Sequence, residues 1–297
     1  MHVTTKTIIL FFIMILVYVG AVVFGPVNFD STLKLVIAIT VGTAFLSFFF
    51  SLATDDYSWT DRLWSTLPIV YGWLYARWAG FSVPLLTAAL LITLWGARLT
   101  FNFARRGGYS GEEDYRWSIL HARISHPVLW MLFNLLFIAC YQQFLFIAFT
   151  GPLNLLIQPS RPEFSFLSYL AILLFFVFLG IETIADQQQY TFQQAKYHLR
   201  PRQSEREAEY AQGFRSSGLF RYSRHPNYFG ELGVWWSIYL YCSSFSQTFL
   251  NPYLVGPLLL TLLFLGSTAF TEGITRTKYP AYQDYQKKVP AIRFRIR

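Results

Sequence analysis

The chain has 297 residues, of which 54% are hydrophobic and 20% aromatic but only 13% charged, and its formal net charge is +8. Soluble domains carry about 25% charged residues, so this composition excludes an ordinary soluble domain and predicts a polytopic membrane protein. The lysines and arginines are dispersed over short loops, without a recognition helix. We therefore expect the bilayer as the main environment and no nucleic-acid partner.

Eight apolar runs recur along the chain, each near the roughly 20 helical residues that cross a hydrocarbon core. They predict an all-α fold, a bundle of seven or eight transmembrane helices. A proline, a glycine and an arginine interrupt the third run, and the seventh is rich in serine. The predicted spans are 8–24, 35–52, 63–78, 83–99, 128–149, 164–184, 232–250 and 253–270.

The distribution of basic residues predicts the orientation. With eight spans, both termini and the loops after spans two, four and six lie on one side of the membrane. Of the 24 lysines and arginines, only Lys34, Arg77 and Arg161 fall on the other side. Cytoplasmic loops carry an excess of these residues, so the crowded side and both termini are predicted to be cytoplasmic.

The loop after span four begins with a polar helix face. Arg98, Asn102 and Arg105 are spaced at i, i+4 and i+7, which places them on one face at the cytoplasmic end of the span. The glycines at 107, 108 and 111 follow. Their main-chain N–H groups are suited to hold a phosphate, although an ordinary loop has the same composition.

Two acidic residues lie at the cytoplasmic end of span six. Glu182 and Asp186 form an i, i+4 pair, and an ionisable residue beside an apolar run is costly unless it has a partner. Both are candidates for a functional role, with a structural ion pair between helices as the alternative. The expected partners are Arg98 or the pair Arg221 and Arg224.

The segment 218–231 is the most informative polar stretch, because it leads directly into the apolar helix of span seven. Arg221, Arg224 and His225 supply cationic or donor groups, and Asn227 and Tyr228 supply hydrogen-bond donors. The N-terminus of the following helix also favours negative charge. The segment is therefore typical of an anion site at the membrane surface, or of a basic cluster that only sets topology.

Three further observations limit the kinds of site that the chain can contain. The tail 271–290 interleaves tyrosines with basic residues, which is typical of an interfacial helix or of stacking around a nucleotide. His121 and His126 have no third ligand of suitable type nearby, so no metal site is expected. Cys140 and Cys242 lie in apolar runs, which excludes a disulfide framework and a thiol nucleophile.

The motifs resemble those of a known family. The run Arg224-His-Pro-Asn-Tyr-Phe-Gly-Glu231 resembles a signature of the sterol C14 and Δ7 reductases, and the spacing from Glu272 to Pro290 is similar to their closing segment. Closer still is the steroid 5α-reductase-like family of membrane proteins, the DUF1295 group. Its pattern resembles Ser51-x3-Asp55, Trp95-Gly-x-Arg98-Leu-Thr-x-Asn102, Arg105-Arg-Gly-Gly, Gly111-Glu-Glu-Asp-Tyr-Arg-Trp117, Ala185-Asp186 and Tyr222-Ser-Arg-His-Pro-Asn-Tyr228.

The resemblance implies an NADPH-dependent reductase of a C=C bond in a sterol-like or other lipid substrate, in the endoplasmic reticulum membrane. It implies a transmembrane region with a lipid cavity at 1–185. A cytoplasmic-side NADPH-binding region with two further membrane helices would occupy 186–297. The implied cofactor residues are Arg98, Asn102, Arg106, Asp186, Tyr222, Arg224, His225, Asn227, Tyr228, Lys278 and Tyr279.

The catalytic acids of that family have no counterpart here. Steroid 5α-reductases use a glutamate before Leu-Pro and a tyrosine three residues ahead of the arginine that matches Arg98. This chain has Thr66 and Trp95 at those two places. The group that polarises a substrate carbonyl is therefore unassigned. The replacements considered are Asp55, Asp56, Tyr57, Tyr71 and Tyr109.

Two other functions fit parts of the sequence. Isoprenylcysteine and phospholipid methyltransferases, which use S-adenosylmethionine, also resemble Arg-His-Pro-x-Tyr-x-Gly followed by Asn-Pro, and Asn251-Pro252 lies in a comparable place. Their later acidic pair is Glu-Glu, whereas this chain has Thr271-Glu272. A non-catalytic lipid binder on the reductase fold is the third possibility, since a fold does not determine a function.

Overall fold

The computed structural model describes residues 3–27, 29–197 and 207–295, and within these ranges its regular structure is helical, without strands. The predicted all-α class is confirmed. The chain divides into two compact units. Unit 1 comprises Met1–Phe164 and Cys242–Gly256, and unit 2 comprises Ser165–Tyr241 and Pro257–Arg297. The division expected after residue 185 falls inside a long helix of unit 2.

In the part of unit 1 that the structure describes, seven α-helices form the scaffold. A π-helix, Asn134–Tyr141, joins the last two without a break. Side chains cap several of the helix starts: Thr4 and Thr7 form a capping box, and Asp114 accepts the main-chain N–H of Arg116. The helices are α1 Thr5–Phe24, α2 Thr32–Thr54, α3 Leu67–Trp78, α4 Val83–Ala104, α5 Tyr115–Arg123, α6 Pro127–Phe133 and α7 Gln142–Thr150.

Over its described residues, 165–197, 207–241 and 257–295, unit 2 contains one long helix and four others. The ends of two of these, within Cys242–Gly256, belong to unit 1. A 3-10 turn, Gly218–Arg221, precedes the helix that carries the motif segment. The helices are α8 Phe166–Tyr197, α9 Glu207–Gln212, α10 Pro226–Ser246, α11 Val255–Lys278 and α12 Tyr282–Lys288.

Six candidate membrane spans are found among the described residues, by length and apolar composition. They correspond to predicted spans one, two, four, five, six and eight, so the multi-pass membrane character is confirmed. The third predicted span contains only the 12 helical residues of α3. The seventh is α10, which is long enough, but its serines lower its hydropathy. The candidates are Thr5–Phe24, Thr32–Thr54, Val83–Ala104, Pro127–Leu156, Phe166–Lys196 and Pro252–Lys278.

Although α3 is short, the segment that contains it runs alongside the whole of α4. At one end the Tyr109 hydroxyl donates to the Arg62 carbonyl at 3.1 Å. In the middle the Trp73 indole donates to Thr93 at 3.0 Å. At the other end Gly80 turns the chain with a φ of +61°. The third segment thus covers the length of a 22-residue helix, partly in non-helical form.

A polar face of α2 holds the inner helices of unit 1 together. Thr40 contacts the Tyr71 hydroxyl at 2.7 Å, Thr43 donates to Gln143 at 2.6 Å, and Ser51 accepts from the Asn134 amide at 2.6 Å. In a bilayer such groups have no water to bond, so they must bond one another. This pattern fixes the π-helix and α7 against α2.

Candidate functional site

The motif segment of unit 2 is built around one carboxylate that the sequence analysis left unassigned. Arg224 makes a two-point ion pair with Glu272 of α11, with Nε–Oε1 at 2.6 Å and Nη2–Oε2 at 2.9 Å. Its Nη1 also donates to the carbonyls of Gln286 and Val289. His225 Nε2 lies 2.9 Å from Glu272 Oε1. Since most of its donors are occupied, Arg224 mainly joins α10, α11 and α12.

The tail after α12 lies along the motif segment. The main-chain N–H groups of Arg224 and His225 donate to the carbonyls of Pro290 and Ala291 at 2.9 and 2.8 Å. The N–H of Arg295 donates to the Tyr222 carbonyl at 2.9 Å. This pairing brings basic residues of the tail beside the start of α10. The exposed side chains of the two paired segments include Arg221, Tyr222, Arg293 and Arg295.

The start of α10 packs closely on α8. The amide of Asn227 lies 3.4 Å from Asp186 Oδ1, and the Tyr228 ring stacks on His225 at 5.1 Å. At Gly230 a Cβ would lie 2.6 Å from the Cβ of Glu182. The glycine of the motif is therefore required by the approach of two helices. Of the partners expected for the acids of α8, Arg224 pairs with Glu272 instead, and the alternative partner Arg98 stays a prediction.

Lys278 and Tyr279 lie at the end of α11. The Tyr279 hydroxyl accepts from Lys196 Nζ at 2.7 Å, and Lys278 Nζ lies 5.5 Å from the Tyr279 ring. Partial burial raises the pKa of Tyr279, but the bond to Lys196 outweighs it and holds that pKa below its usual value. Of the later tail tyrosines, Tyr282 is buried and Tyr285 donates to the Phe220 carbonyl. Both pack on Phe214, rather than forming a surface for stacking a base.

The other cofactor candidates belong to unit 1. Asn102 is buried, and its Oδ1 accepts from Arg105 Nε at 3.0 Å, which confirms the polar face predicted at the end of α4. Arg98 lies one turn before it, and Arg106 is exposed. Of the glycines that follow, Gly108 is required by packing, since a Cβ there would lie 2.2 Å from the Phe103 ring, while Gly107 and Gly111 have φ values of +88° and +92°.

Three of the five catalytic candidates are fully engaged inside unit 1. Asp56 pairs at two points with the buried Arg62, with distances of 3.0 and 2.8 Å. The hydroxyl of Tyr71 bonds Thr40 in the interior, and that of Tyr109 bonds a carbonyl. The polar groups of these three residues therefore stabilise the fold of unit 1.

The other two candidates, Asp55 and Tyr57, line a pocket of about 430 Å³ together with Glu113, Ser118, His121 and Ala122. The Tyr57 hydroxyl donates to Asp55 Oδ1 at 2.8 Å, and its main-chain N–H donates to Glu113 at 2.7 Å. Asp55 ends α2 in the left-handed conformation, with φ at +54°. The segment 55–62, which follows the Ser51-x3-Asp55 motif, and the motif 111–117 therefore form one structure.

Acids with raised pKa values are the main feature that the sequence analysis missed in these loops. Asp61 accepts the Trp117 indole N–H at 2.7 Å, and burial raises its pKa to about 6. Partial burial, with Asp56 and Asp55 nearby, raises the pKa of Glu113 to about 7. The signal was present in the Glu-Glu-Asp run of the second motif. Among the described residues, no three His, Cys, Asp or Glu side chains group to hold a metal ion.

Comparison with known proteins gives a consistent result. Residues 47–289 match DUF1295, a family described as proteins of unknown function. An uncharacterized protein of Schizosaccharomyces pombe is 34% identical over 251 residues, which cover 80% of this chain and 73% of the yeast protein. No solved structure matches the chain.

Proposed function

Since the chain belongs to the DUF1295 family, which is related to steroid 5α-reductase-like membrane proteins, we propose that it is an NADPH-dependent reductase. Its substrate would be a lipid, sterol-like or otherwise unsaturated, that enters from the bilayer and loses a C=C bond. The proposed location is the endoplasmic reticulum membrane, with both termini in the cytoplasm.

The observation that carries the proposal is the surplus of positive charge where α10 begins. The paired segments 218–231 and 289–295 contain four arginines and His225, against Glu231 alone. One of these arginines, Arg224, is paired with the nearby Glu272, so the surplus consists of Arg221, Arg293 and Arg295. NADPH carries several phosphate charges, and arginine and a helix N-terminus are the groups that bind phosphate best. This surplus fits a phosphate-bearing cofactor.

The residues available to hold phosphate are the exposed Arg221 and the first N–H groups of α10, with Asn227 and Tyr228 beside them. Glu272 acts as a positioning residue, since it fixes Arg224 and His225 behind this surface. Bound NADPH supplies the hydride for the β-carbon of a polarised double bond. Arg98, Asn102 and Arg106 of unit 1, and Lys278 and Tyr279 of unit 2, are further proposed cofactor residues that rest on the family resemblance.

The test compares ligands by thermal shift on the purified full-length protein. A ligand that binds only the folded state raises the apparent Tm. We expect NADPH to raise it, NADH to do so less because it lacks the 2′-phosphate, and S-adenosylmethionine to have no effect. A shift with S-adenosylmethionine and none with NADPH would instead establish the methyltransferase alternative.

Arg221→Ala is the variant that probes the proposed surface. Loss of an exposed arginine to phosphate contact should weaken NADPH binding about tenfold, without loss of stability. Arg161→Ala, which removes an exposed arginine of unit 1, is the matched control and should leave affinity unchanged. Arg224→Ala is unsuitable by itself, because it also breaks the pair with Glu272. Equal NADPH affinity in the wild type, Arg221→Ala and Arg161→Ala would contradict the proposed site.

A further inference from the structure

The pocket of unit 1 combines a wall of polar side chains with a surplus of negative charge. The segments 55–62 and 107–117 hold six acidic residues and two arginines. The arginines are both in ion pairs, Arg62 with Asp56 and Arg116 with Asp114, each at 2.8 Å. Asp55 and Glu113, which face the pocket, are not the acids in those pairs. A ligand that complements this pocket therefore carries positive charge.

An aromatic column starts at the pocket and follows the π-helix. His121, which lines the pocket, stacks on Trp130 at 4.4 Å. The column then continues through Phe133, Phe137 and Tyr141, with ring centroids 5.6, 5.0 and 5.4 Å apart and nearly parallel planes. From Trp130 to Tyr141 it rises roughly 16 Å, at about 1.5 Å per residue. That length is about one leaflet of the ~30 Å hydrocarbon core.

The surroundings of the column identify it as a surface that meets lipid. It lies within the candidate membrane span Pro127–Leu156. Leu129, Leu132 and Leu136 on the same span are 57%, 43% and 62% exposed. The rings of Phe133 and Phe137 are half-buried, so acyl chains of the bilayer reach them. The pocket is thus located where a lipid headgroup and its chain meet.

A second, independent observation comes from buried polar atoms at this end of the helix. Trp130 is 4% exposed and Asn134, one turn later, is 1% exposed. The indole N–H of Trp130 and the Oδ1 of Asn134 have no hydrogen-bond partner among the residues that the structure describes. Buried polar groups without partners are rare and costly. The Trp130 ring packs on Tyr57 and His121, both of which line the pocket, so its N–H lies behind the pocket wall, near the Tyr57 hydroxyl.

We propose that this pocket binds the ammonium group of an amine-bearing phospholipid, whose acyl chain lies along the aromatic column. The carboxylates of Asp55 and Glu113 accept the ammonium protons, and the bound cation favours the charged form of Glu113. An anionic lipid is repelled by the same carboxylates. A sterol fits the column but brings no charge to the pocket. This inference does not depend on the proposed reductase function.

The experiment uses the purified full-length protein, delipidated and then placed in nanodiscs of defined composition. Phosphatidylethanolamine and phosphatidylglycerol with identical acyl chains are compared by native mass spectrometry of retained lipids. We expect phosphatidylethanolamine to be retained about tenfold over phosphatidylglycerol. Equal retention of the two lipids would overturn the proposal, as would equal retention of cholesterol in a third arm.

Variants test whether the selectivity comes from this pocket. Ser118 is an exposed lining residue, so Ser118→Lys places a cation in the pocket without disturbing the core. It should abolish the preference, while the neutral Ser118→Gln retains it. The double variant Asp55→Asn with Glu113→Gln should also abolish the preference for phosphatidylethanolamine. Asp284→Asn removes an exposed acid of unit 2 and should leave that preference unchanged. Unchanged selectivity in Ser118→Lys would refute the site.

A soluble headgroup distinguishes a site for a membrane phospholipid from a site for a free amine. Glycerophosphoethanolamine carries the same ammonium and phosphate groups without acyl chains. We expect it to displace retained phosphatidylethanolamine only weakly, because it cannot occupy the column. Complete displacement at concentrations matching the lipid would show that the pocket binds free amines, and it would contradict a lipid site.

Discussion

Both units are held by an arginine paired with a carboxylate, but the charge left over around each pair differs in sign. In unit 1 the pair is Arg62 and Asp56, with side chains 0% and 6% exposed, and the loops around it are rich in acids. In unit 2 the pair is Arg224 and Glu272, and exposed arginines surround it. The paired charges stabilise each unit, and the surplus charge is the basis of the ligand that we propose for each one.

The largest effect on stability is expected from breaking the buried ion pair of unit 1. Arg62→Met leaves Asp56 buried without its cation and removes the bond from Nε to the Gly108 carbonyl. We expect a loss of about 3–5 kcal/mol in the free energy of unfolding, measured by denaturant titration in detergent. Lys34→Met breaks an exposed pair with Asp30 and should cost less than about 1 kcal/mol. Similar losses for the two variants would show that the Arg62 pair is not sealed from solvent.

A smaller effect is expected from separating α8 and α10 in unit 2. Gly230→Ala places a Cβ within 2.8 Å of the main chain of α8, at Glu182 N and the Phe178 carbonyl. Because main chain cannot move as a side chain does, we expect a loss of about 1–3 kcal/mol and weaker binding of any ligand at the motif. Gly273→Ala in α11 meets nothing within 4 Å and should be neutral or slightly stabilising, by up to ~1 kcal/mol. If both variants behaved alike, the close approach of α8 and α10 would be refuted.

The smallest effect concerns the acid surplus of unit 1. The pKa of Glu113 is raised to about 7 from an ordinary value of 4.5, so the fold disfavours the charged carboxylate. The folded state then holds a proton that the unfolded state has lost, and stability falls as pH rises from about 4.5 to about 7. In Glu113→Gln this part of the fall in Tm should disappear, while Glu112→Gln should keep it. A pH profile unchanged by Glu113→Gln would contradict the shifted pKa.

Composition and periodicity were sufficient for the fold class and for six of the spans, because a bilayer requires long apolar helices wherever the chain crosses it. The two uncertain runs were those in which the sequence breaks that rule. The third has α3 and an irregular segment that together follow α4, and the serines of α10 are accommodated by helix packing. Neither arrangement is visible in a count of apolar residues.

The candidate site was predictable in part. The motif residues of α10 lie together, and the polar face of Asn102 and Arg105 formed as expected from helical spacing. The partner of Arg224 was not predictable, because Glu272 lies 48 residues away and no local rule selects it over the acids of α8. Likewise the pocket needs residues of two motifs that are 56 positions apart. Such pairings depend on tertiary packing, which periodicity does not encode.

The docking of the tail on the motif segment also limits when unit 2 can mature. The Ser223 hydroxyl bonds carbonyls 68 and 69 positions further along the chain, and the two neighbouring N–H groups pair with the same stretch. During synthesis, α10 leaves the ribosome well before those partners are translated. Its first turn must wait beside the membrane with its donors satisfied by water, and a nascent chain stopped ahead of residue 290 lacks the carbonyls that pair with this turn. The surface that we propose for NADPH is therefore completed late, after translation has passed the tail.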